Sequence, residues 1–245
     1  MSASDSLRIL RQHVRTDQLL GVQSVPLGNP ARFEASTSGS QKPRGAAGGA
    51  GKAYQLDQLD HGQVRSCTRC DLCRSRTQTV FGEGDVDATL MFVGEGPGQR
   101  EDQMGRPFVG RAGELLDKQI KAMRLERSGV YIANIVKCRP PRNRTPSSDE
   151  VLACSAYLHE QIRIVGPTVI VALGAPATRF LLQTKEGIMA LRGQWSRYEG
   201  LMGQGPTVDV MPTYHPAFLL RQYTTENRKK VWSDLQKVAA RLGLG

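Results

Sequence analysis

Apolar residues in this chain fall in short runs separated by longer segments with helical spacing. Three runs are apolar nearly throughout: 88–93 (ATLMFV), 130–136 (VYIANIV) and 168–173 (TVIVAL), and 208–212 (VDVMP) is a fourth strand candidate. Between and after them the period changes. Leu115, Leu116, Ile120 and Met123 lie on one face of a predicted helix over 112–123. A helix over 148–164 has Asp149 and Glu150 in its first turn, where carboxylates suit the helix dipole, and a shorter one over 175–182 follows Gly174. The last, over 226–242, carries Val231, Leu235, Val238 and Leu242. Strands apolar on both faces belong in a parallel sheet covered by helices on each side, so the fold class is α/β. In such sheets, functional groups gather in loops beyond the strands' carboxyl ends. Those loops are 94–110, 137–147, 174–176 and 213–221.

Residues 1–55 read as an appendage to a domain over 56–245. Leu7, Leu10 and Val14 recur at helical spacing among Arg8, Arg11 and Arg15, and 36–52 (STSGSQKPRGAAGGAGK) reads as a flexible linker. The net charge is +10 over 245 residues; the seven Lys/Arg and three Asp/Glu of 1–55 contribute +4 of it, so the domain itself is basic. A basic balance favours polyanions, nucleic acid first among them. With no long apolar run and no apolar segment at the N-terminus, a cytoplasmic protein is expected, nucleoid-associated if bacterial.

The five cysteines are the sharpest chemical signal: Cys67-x2-Cys70, Cys73 close behind, then Cys138 and Cys154. An odd count without a secretory segment argues against a disulfide framework. A close pair followed by two distant thiols supplies four soft ligands, suited to an Fe–S cluster or to Zn²⁺. Gly94-Glu95-Gly96-Pro97-Gly98 is a tight turn at a strand end; it is neither a dinucleotide fingerprint nor a Walker loop. Glu95, Glu101 and Asp102 crowd this loop with carboxylates, as solvated turn residues or as groups that handle water or a substrate edge. Phe108 sits on a glycine-bracketed loop, where it either packs in the core or stacks on a base. Asn134, inside an apolar strand, needs a partner, structural or substrate; its amide matches the N3–H and O4 edge of uracil. Lys137, Arg139, Arg142 and Arg144 surround Cys138 as a phosphate-binding candidate. His215, in a Tyr-His-Pro-Ala turn before Arg221, is placed to donate to a leaving base.

Together these motifs resemble the iron–sulfur (family 4) uracil-DNA glycosylases. The likeness covers 64–242 and rests on Cys67-x2-Cys70, Gly94–Gly98 with Glu101-Asp102, Gly105–Gly110, Asn134-Ile-Val-Lys-Cys138-Arg-Pro-Pro and His215-Pro-Ala-Phe-Leu-Leu-Arg221. It implies a three-layer α/β/α sandwich around a short parallel sheet. It also implies a structural [4Fe–4S] cluster on Cys67, Cys70, Cys138 and Cys154, with Cys73 as an extra thiol outside the usual pattern. The implied reaction is hydrolysis of the N-glycosidic bond of deoxyuridine in DNA, leaving an abasic site. Phe108 would stack on the extruded uracil, Asn134 would read it, and Glu101 would exclude thymine's methyl. Gly96 backbone and His215 would stabilise the departing base, while Glu95 or Asn143 positions water. Lys137, Arg139, Arg142, Arg144 and Arg221 are the expected DNA contacts. Residues 140–147 lack the histidine of relatives that stay covalently attached to the abasic sugar, so a monofunctional enzyme that turns over is expected. A monomer is expected too, with the N-terminal extension a candidate contact for a replication or repair protein. The competing readings are a binding-only or differently specific relative on the same scaffold, and a zinc-stabilised DNA-binding protein.

Overall fold

In a computed structural model of the chain, the structure describes residues 47–200, 203 and 205–244. The expected helix around Leu7–Val14 and most of the linker lie outside the described residues. The described chain runs α1 (Ala47–Leu59), β1 (Glu83–Gly84), β2 (Leu90–Gly94), α2 (Gln99–Met104), α3 (Arg111–Ala122), β3 (Tyr131–Asn134) and α4 (Ser148–Val165). It continues through β4 (Val169–Leu173), α5 (Gly174–Leu182), α6 (Ile188–Leu191), β5 (Ser196–Tyr198), β6 (Val208–Thr213), α7 (Pro216–Arg221) and α8 (Thr225–Arg241). One sheet takes the order β1-β3-β2-β4-β6-β5. Its four inner strands are parallel, and the two short edge strands pair antiparallel.

The apolar runs bury alternate residues into two cores, one on each face of the sheet. Leu90, Phe92, Ile132, Val169, Val171 and Met211 point to the layer formed by α3, α7 and α8, where Leu116, Ile120, Leu219, Val231 and Leu235 meet them. Met91, Val93, Ala133, Ile170, Ala172 and Val210 face Leu158 and Ile162 of α4, Ala177 and Leu181 of α5, and Leu56 and Leu59 of α1. Period-two side-chain alternation with apolar residues at both parities gives a sheet covered on both sides. The sandwich expected from the sequence is present. Among the described residues, no helix is long and apolar enough to cross a membrane.

Three local expectations need correction. Residues 47–52, read as linker, form the first turns of α1, and the boundary after residue 55 falls inside that helix. Gly48, Gly49 and Gly51 disfavour a helix locally, and the stripe that anchors this segment (Leu56, Leu59, Val64) begins only beyond the low-complexity stretch. Lys52 adds a tether, donating to the Val165 carbonyl at 2.9 Å and pairing with Asp87 at 2.9 Å. Two predicted loops also contain helices: α2 lies within 94–110 and α7 within 213–221. Each is six residues long, too short to show a period in the sequence.

Candidate active site and cysteine cavity

The carboxyl ends of β2 and β3 lie side by side, with Gly94 in register with Asn134. A Cβ at Gly94 would come within 2.4 Å of Asn134 Oδ1 and 2.6 Å of Phe108 Cζ. A side chain at 94 would therefore fill the place where the amide and the aromatic ring approach. Asn134 is 2% exposed, and its Oδ1 is sealed from solvent without a hydrogen-bond partner. An orphaned buried carbonyl costs free energy in the free protein and calls for an explanation. The Phe108 ring lies 5.6 Å from the His215 ring, tilted by 31°. Asn134, Phe108 and His215, read separately from the sequence, thus lie together in one cluster beyond the strand ends, with Phe108 itself 5% exposed and packed on the core.

The groups around this cluster are held in place by backbone bonds. Glu101 Oε1 accepts from the N–H groups of Val109 at 2.9 Å and Gly110 at 2.8 Å. This clamps the turn in which Phe108 takes a left-handed φ of 50°. The Glu101 carboxylate is therefore a fixed wall beside the Phe108 loop. Asp102, also buried, accepts from the Thr77 N–H at 2.9 Å and hydroxyl at 2.7 Å, binding α2 to the chain that follows the cysteines. His215 caps α7: its Nδ1 accepts from the Ala217 N–H at 3.0 Å. The neutral ring's proton consequently sits on Nε2, leaving that nitrogen as a donor. Burial lowers the His215 pKa to about 4, the Arg221 charge adds to the shift, and Glu101 opposes it. At neutral pH, His215 is uncharged. Gly174, at φ +86°, packs so closely on His215 that a Cβ there would lie 2.9 Å from the histidine's own Cβ.

Glu95 is half-buried beyond β2, and burial raises its carboxyl pKa against an opposing hydrogen bond with Thr145. Gly96 turns against Val136, whose Cγ2 would stand 2.7 Å from a Cβ at that position. Asn143 is exposed, and its Oδ1 accepts from Arg139 Nε at 2.8 Å, which leaves Glu95 better placed for water chemistry. Arg142 and Arg221 are exposed, as DNA contacts must be, and Arg139 is half-exposed.

Two residues assigned to DNA are placed otherwise. Lys137 is 1% exposed; its Nζ donates to the Asn134 carbonyl at 2.8 Å and to Gln161 Oε1 at 2.5 Å. Burial lowers its pKa to about 8. No phosphate reaches it. The basic run 137–144 crosses from core to surface, and charge alone does not reveal where the crossing falls. Arg144 is half-exposed but committed to Glu150, with two bonds at 2.8 and 2.7 Å. That pair sits on the capping box of α4, in which Ser147 Oγ accepts from the Glu150 N–H and Glu150 accepts from the Ser147 N–H. Arg144 is a structural strut.

All five cysteines line one cavity beside Arg76, Lys137 and Tyr157. Cys67, Cys70 and Cys73 come from the chain around the tight turn Asp71–Arg74, Cys138 from beyond β3, and Cys154 from α4. Burial raises the thiol pKa values of Cys70 and Cys138, and that of Cys154 to about 12. Donors aim at two of the sulfurs. Arg76 Nη1 lies 3.1 Å from Cys138 Sγ, and the Lys137 backbone N–H lies 3.3 Å from Cys154 Sγ. Among the described residues, no three His, Cys, Asp or Glu side chains converge on a single-ion site. Arg76 was missed in the sequence because nothing marks it except its nearness to Cys73. Its guanidinium also donates to the Cys67 carbonyl at 2.8 Å and the Arg65 carbonyl at 3.2 Å, tying the cysteine turn together.

The strand ends thus gather an amide, an aromatic ring and a histidine over a parallel sheet, with a cavity lined by five cysteines. The family model of the uracil DNA glycosylase superfamily matches residues 81–236, and the chain belongs to that superfamily. Within it, the chain falls with the type-4 enzymes. It is 46% identical to the type-4 uracil-DNA glycosylase of Thermotoga maritima over 184 residues, covering 75% of this chain and 93% of that one. It is 45% identical to the type-4 enzyme of Sulfurisphaera tokodaii over 72% of this chain and 80% of the relative. A type-5 uracil-DNA glycosylase of Pyrobaculum aerophilum matches at 34% over 149 residues, 55% of this chain and 63% of that one.

Proposed function

We propose that this protein removes uracil from DNA by hydrolysing the N-glycosidic bond of deoxyuridine. The observation that carries the site assignment is the unpaired, buried Oδ1 of Asn134 beside Phe108 and His215. Uracil extruded from the helix stacks on Phe108, and its N3–H donates to Asn134 Oδ1 while the Asn134 amide N–H donates to O4. Cytosine offers an acceptor at N3 and a donor at position 4, so both bonds fail and buried polar groups stay unpaired. The Glu101 wall, fixed by its two backbone bonds, excludes the methyl at C5.

As the C1′–N1 bond breaks, its electron pair leaves with the base and negative charge gathers on uracil O2. His215 donates to that oxygen from Nε2 as a neutral imidazole, and Gly96 backbone assists. Water, oriented by Glu95, adds its oxygen to C1′ and passes a proton to the Glu95 carboxylate. The carboxylate returns it to solvent as the uracil anion takes one up, leaving uracil and an abasic sugar. Exposed Arg142 and Arg221, with Arg139, contact the DNA backbone.

A [4Fe–4S] cluster is supported by the five soft thiols that line the cavity and by the N–H donors that face two of the sulfurs. Cys67, Cys70, Cys138 and Cys154 would hold it, and its contribution would be to brace the segment after β3 and the cysteine turn against α4. The absence of a histidine over 140–147 supports turnover without a lasting crosslink. Incubation with an end-labelled oligonucleotide carrying one deoxyuridine should give alkali-sensitive breaks at uracil and none in a thymine control. A folded, brown protein that leaves the uracil strand intact would support a binding-only relative instead.

A further inference from the structure

Lys137 invites a role that neither DNA binding nor metal ligation supplies. Every polar group of this residue is engaged inside the protein. The backbone N–H points at Cys154 Sγ at 3.3 Å, and the backbone carbonyl accepts from the Val80 N–H at 2.8 Å. The Nζ donates to the Asn134 carbonyl and to Gln161 Oε1. Gln161 is itself fully buried and fixed from its other side, donating from Nε2 to the Phe81 carbonyl at 2.9 Å and the Tyr131 hydroxyl at 3.2 Å. The segment between the two ends is pinned as well: Ile135 and Val136 donate their N–H groups to the carbonyls of Gly94 and Glu95. The side chain thus folds back three residues along its own chain, from the wall of the cysteine cavity to the peptide group of the amide at the proposed base site.

We propose that Lys137 is a positioning residue that ties the base-reading Asn134 to the cysteine cavity, so that the amide is aimed by the same segment that carries Cys138 and donates to Cys154 of α4. This rests on Asn134 being the base reader. Holding the Asn134 carbonyl fixes the plane of the 134–135 peptide and with it the direction of the Cα–Cβ bond. A small error in that direction moves the amide edge out of reach of N3 and O4. Because the strut grips the backbone and leaves Oδ1 free, it sets the reader's aim without occupying it.

The test uses the full-length protein as purified and compares Lys137→Met, Asn134→Ala and the double variant. The readouts are turnover, KM for uracil-containing DNA, inhibition by free uracil, and visible absorption. Methionine keeps length and apolar bulk while removing the donors. Lys137→Met should lower kcat and weaken uracil inhibition roughly ten- to a hundredfold, the scale of an angstrom-level misplacement. KM for DNA and the visible absorption should hold. On the Asn134→Ala background the same substitution should add little, because its effect runs through that amide. Wild-type turnover and uracil inhibition in Lys137→Met would overturn the inference, and so would losses that add in full to those of Asn134→Ala. Lost absorption with unchanged uracil inhibition would assign the residue to the cavity alone and equally overturn it. If Lys137→Met does not fold, Gln161→Leu, which frees one end of the strut, should weaken uracil inhibition in the same direction; unchanged inhibition there counts against the strut. Failure of the underlying reading looks different: Asn134→Ala would itself keep normal uracil inhibition.

Discussion

Asn134 occupies the end of a central strand with its side-chain amide oxygen, Oδ1, sealed in and paired with nothing, a condition a stable fold ordinarily avoids. The cost of leaving such a group unsatisfied is about 1–3 kcal/mol, and on the proposed reading an extruded base would offset it. Asn134→Ala should therefore leave thermal stability unchanged or slightly raised while turnover collapses, a pairing of outcomes that simple damage to the fold does not give. His215 makes a second prediction at this scale. On the proposed mechanism Glu95, whose carboxyl is raised above its ordinary value by burial, sets the acid limb of kcat, while burial holds the His215 pKa near 4. Glu95→Gln should abolish that limb along with most turnover. An inflection near 6.5 that survives in Glu95→Gln would mean that His215 titrates as an ordinary histidine. The sequence singled out Asn134 because an amide in an apolar strand is conspicuous, and His215 because few histidines occur. It misplaced Lys137, since a lysine in a basic run looks the same whether it faces solvent or folds back onto Gln161.

Between residues and fold stand two short devices, the Glu101 clamp and the capping box of α4. The clamp holds Phe108 at a positive φ by two hydrogen bonds to a charged carboxylate. Bonds of this kind contribute about 1.5–3 kcal/mol each, so Glu101→Gln should loosen the Phe108 turn, lower kcat/KM for uracil and relax discrimination against thymine. Matched uracil and thymine oligonucleotides measure both effects. At α4, Ser147→Ala should cost about 1 kcal/mol, and the loss is felt at Cys154, two turns into the same helix. Glu150 titrates at about 2 because Arg144 binds it. Its folded pKa is depressed, so its stabilising contribution is present above about 4.5 and disappears as pH falls through 2. The long helices were legible because their periods run over many residues, and the four parallel strands because they are short apolar runs bounded by polar loops. α1, α2 and α7 were not: one begins in a glycine- and alanine-rich stretch, and the others are too short for a period to appear.

The described residues form a sheet with one core on each face, the proposed base site at the carboxyl ends of β2 and β3, and a cysteine cavity on the α4 side. Two half-buried histidines, His159 and His215, both have pKa values lowered to about 4 by desolvation. Each binds fewer protons in the folded than in the unfolded state between pH 4 and 6.5, so stability should decline as pH falls through that window, before Glu150 begins to titrate. Thermal midpoints measured from pH 8 to 4 test the sign; a midpoint that rises on acidification contradicts it. Surface charge acts on binding: removing Arg142 or Arg221 should weaken DNA affinity and reduce the salt dependence of binding by about one unit of slope each, whereas Lys137 should contribute nothing to that slope. The most direct single measurement compares excision of uracil from a one-uracil oligonucleotide by the wild-type protein and by Asn134→Ala, with thermal midpoints taken on the same samples. Efficient excision by the wild type, lost in a variant at least as stable, is the expected result. An Asn134→Ala protein that still excises uracil at the wild-type rate would contradict the assignment of the site.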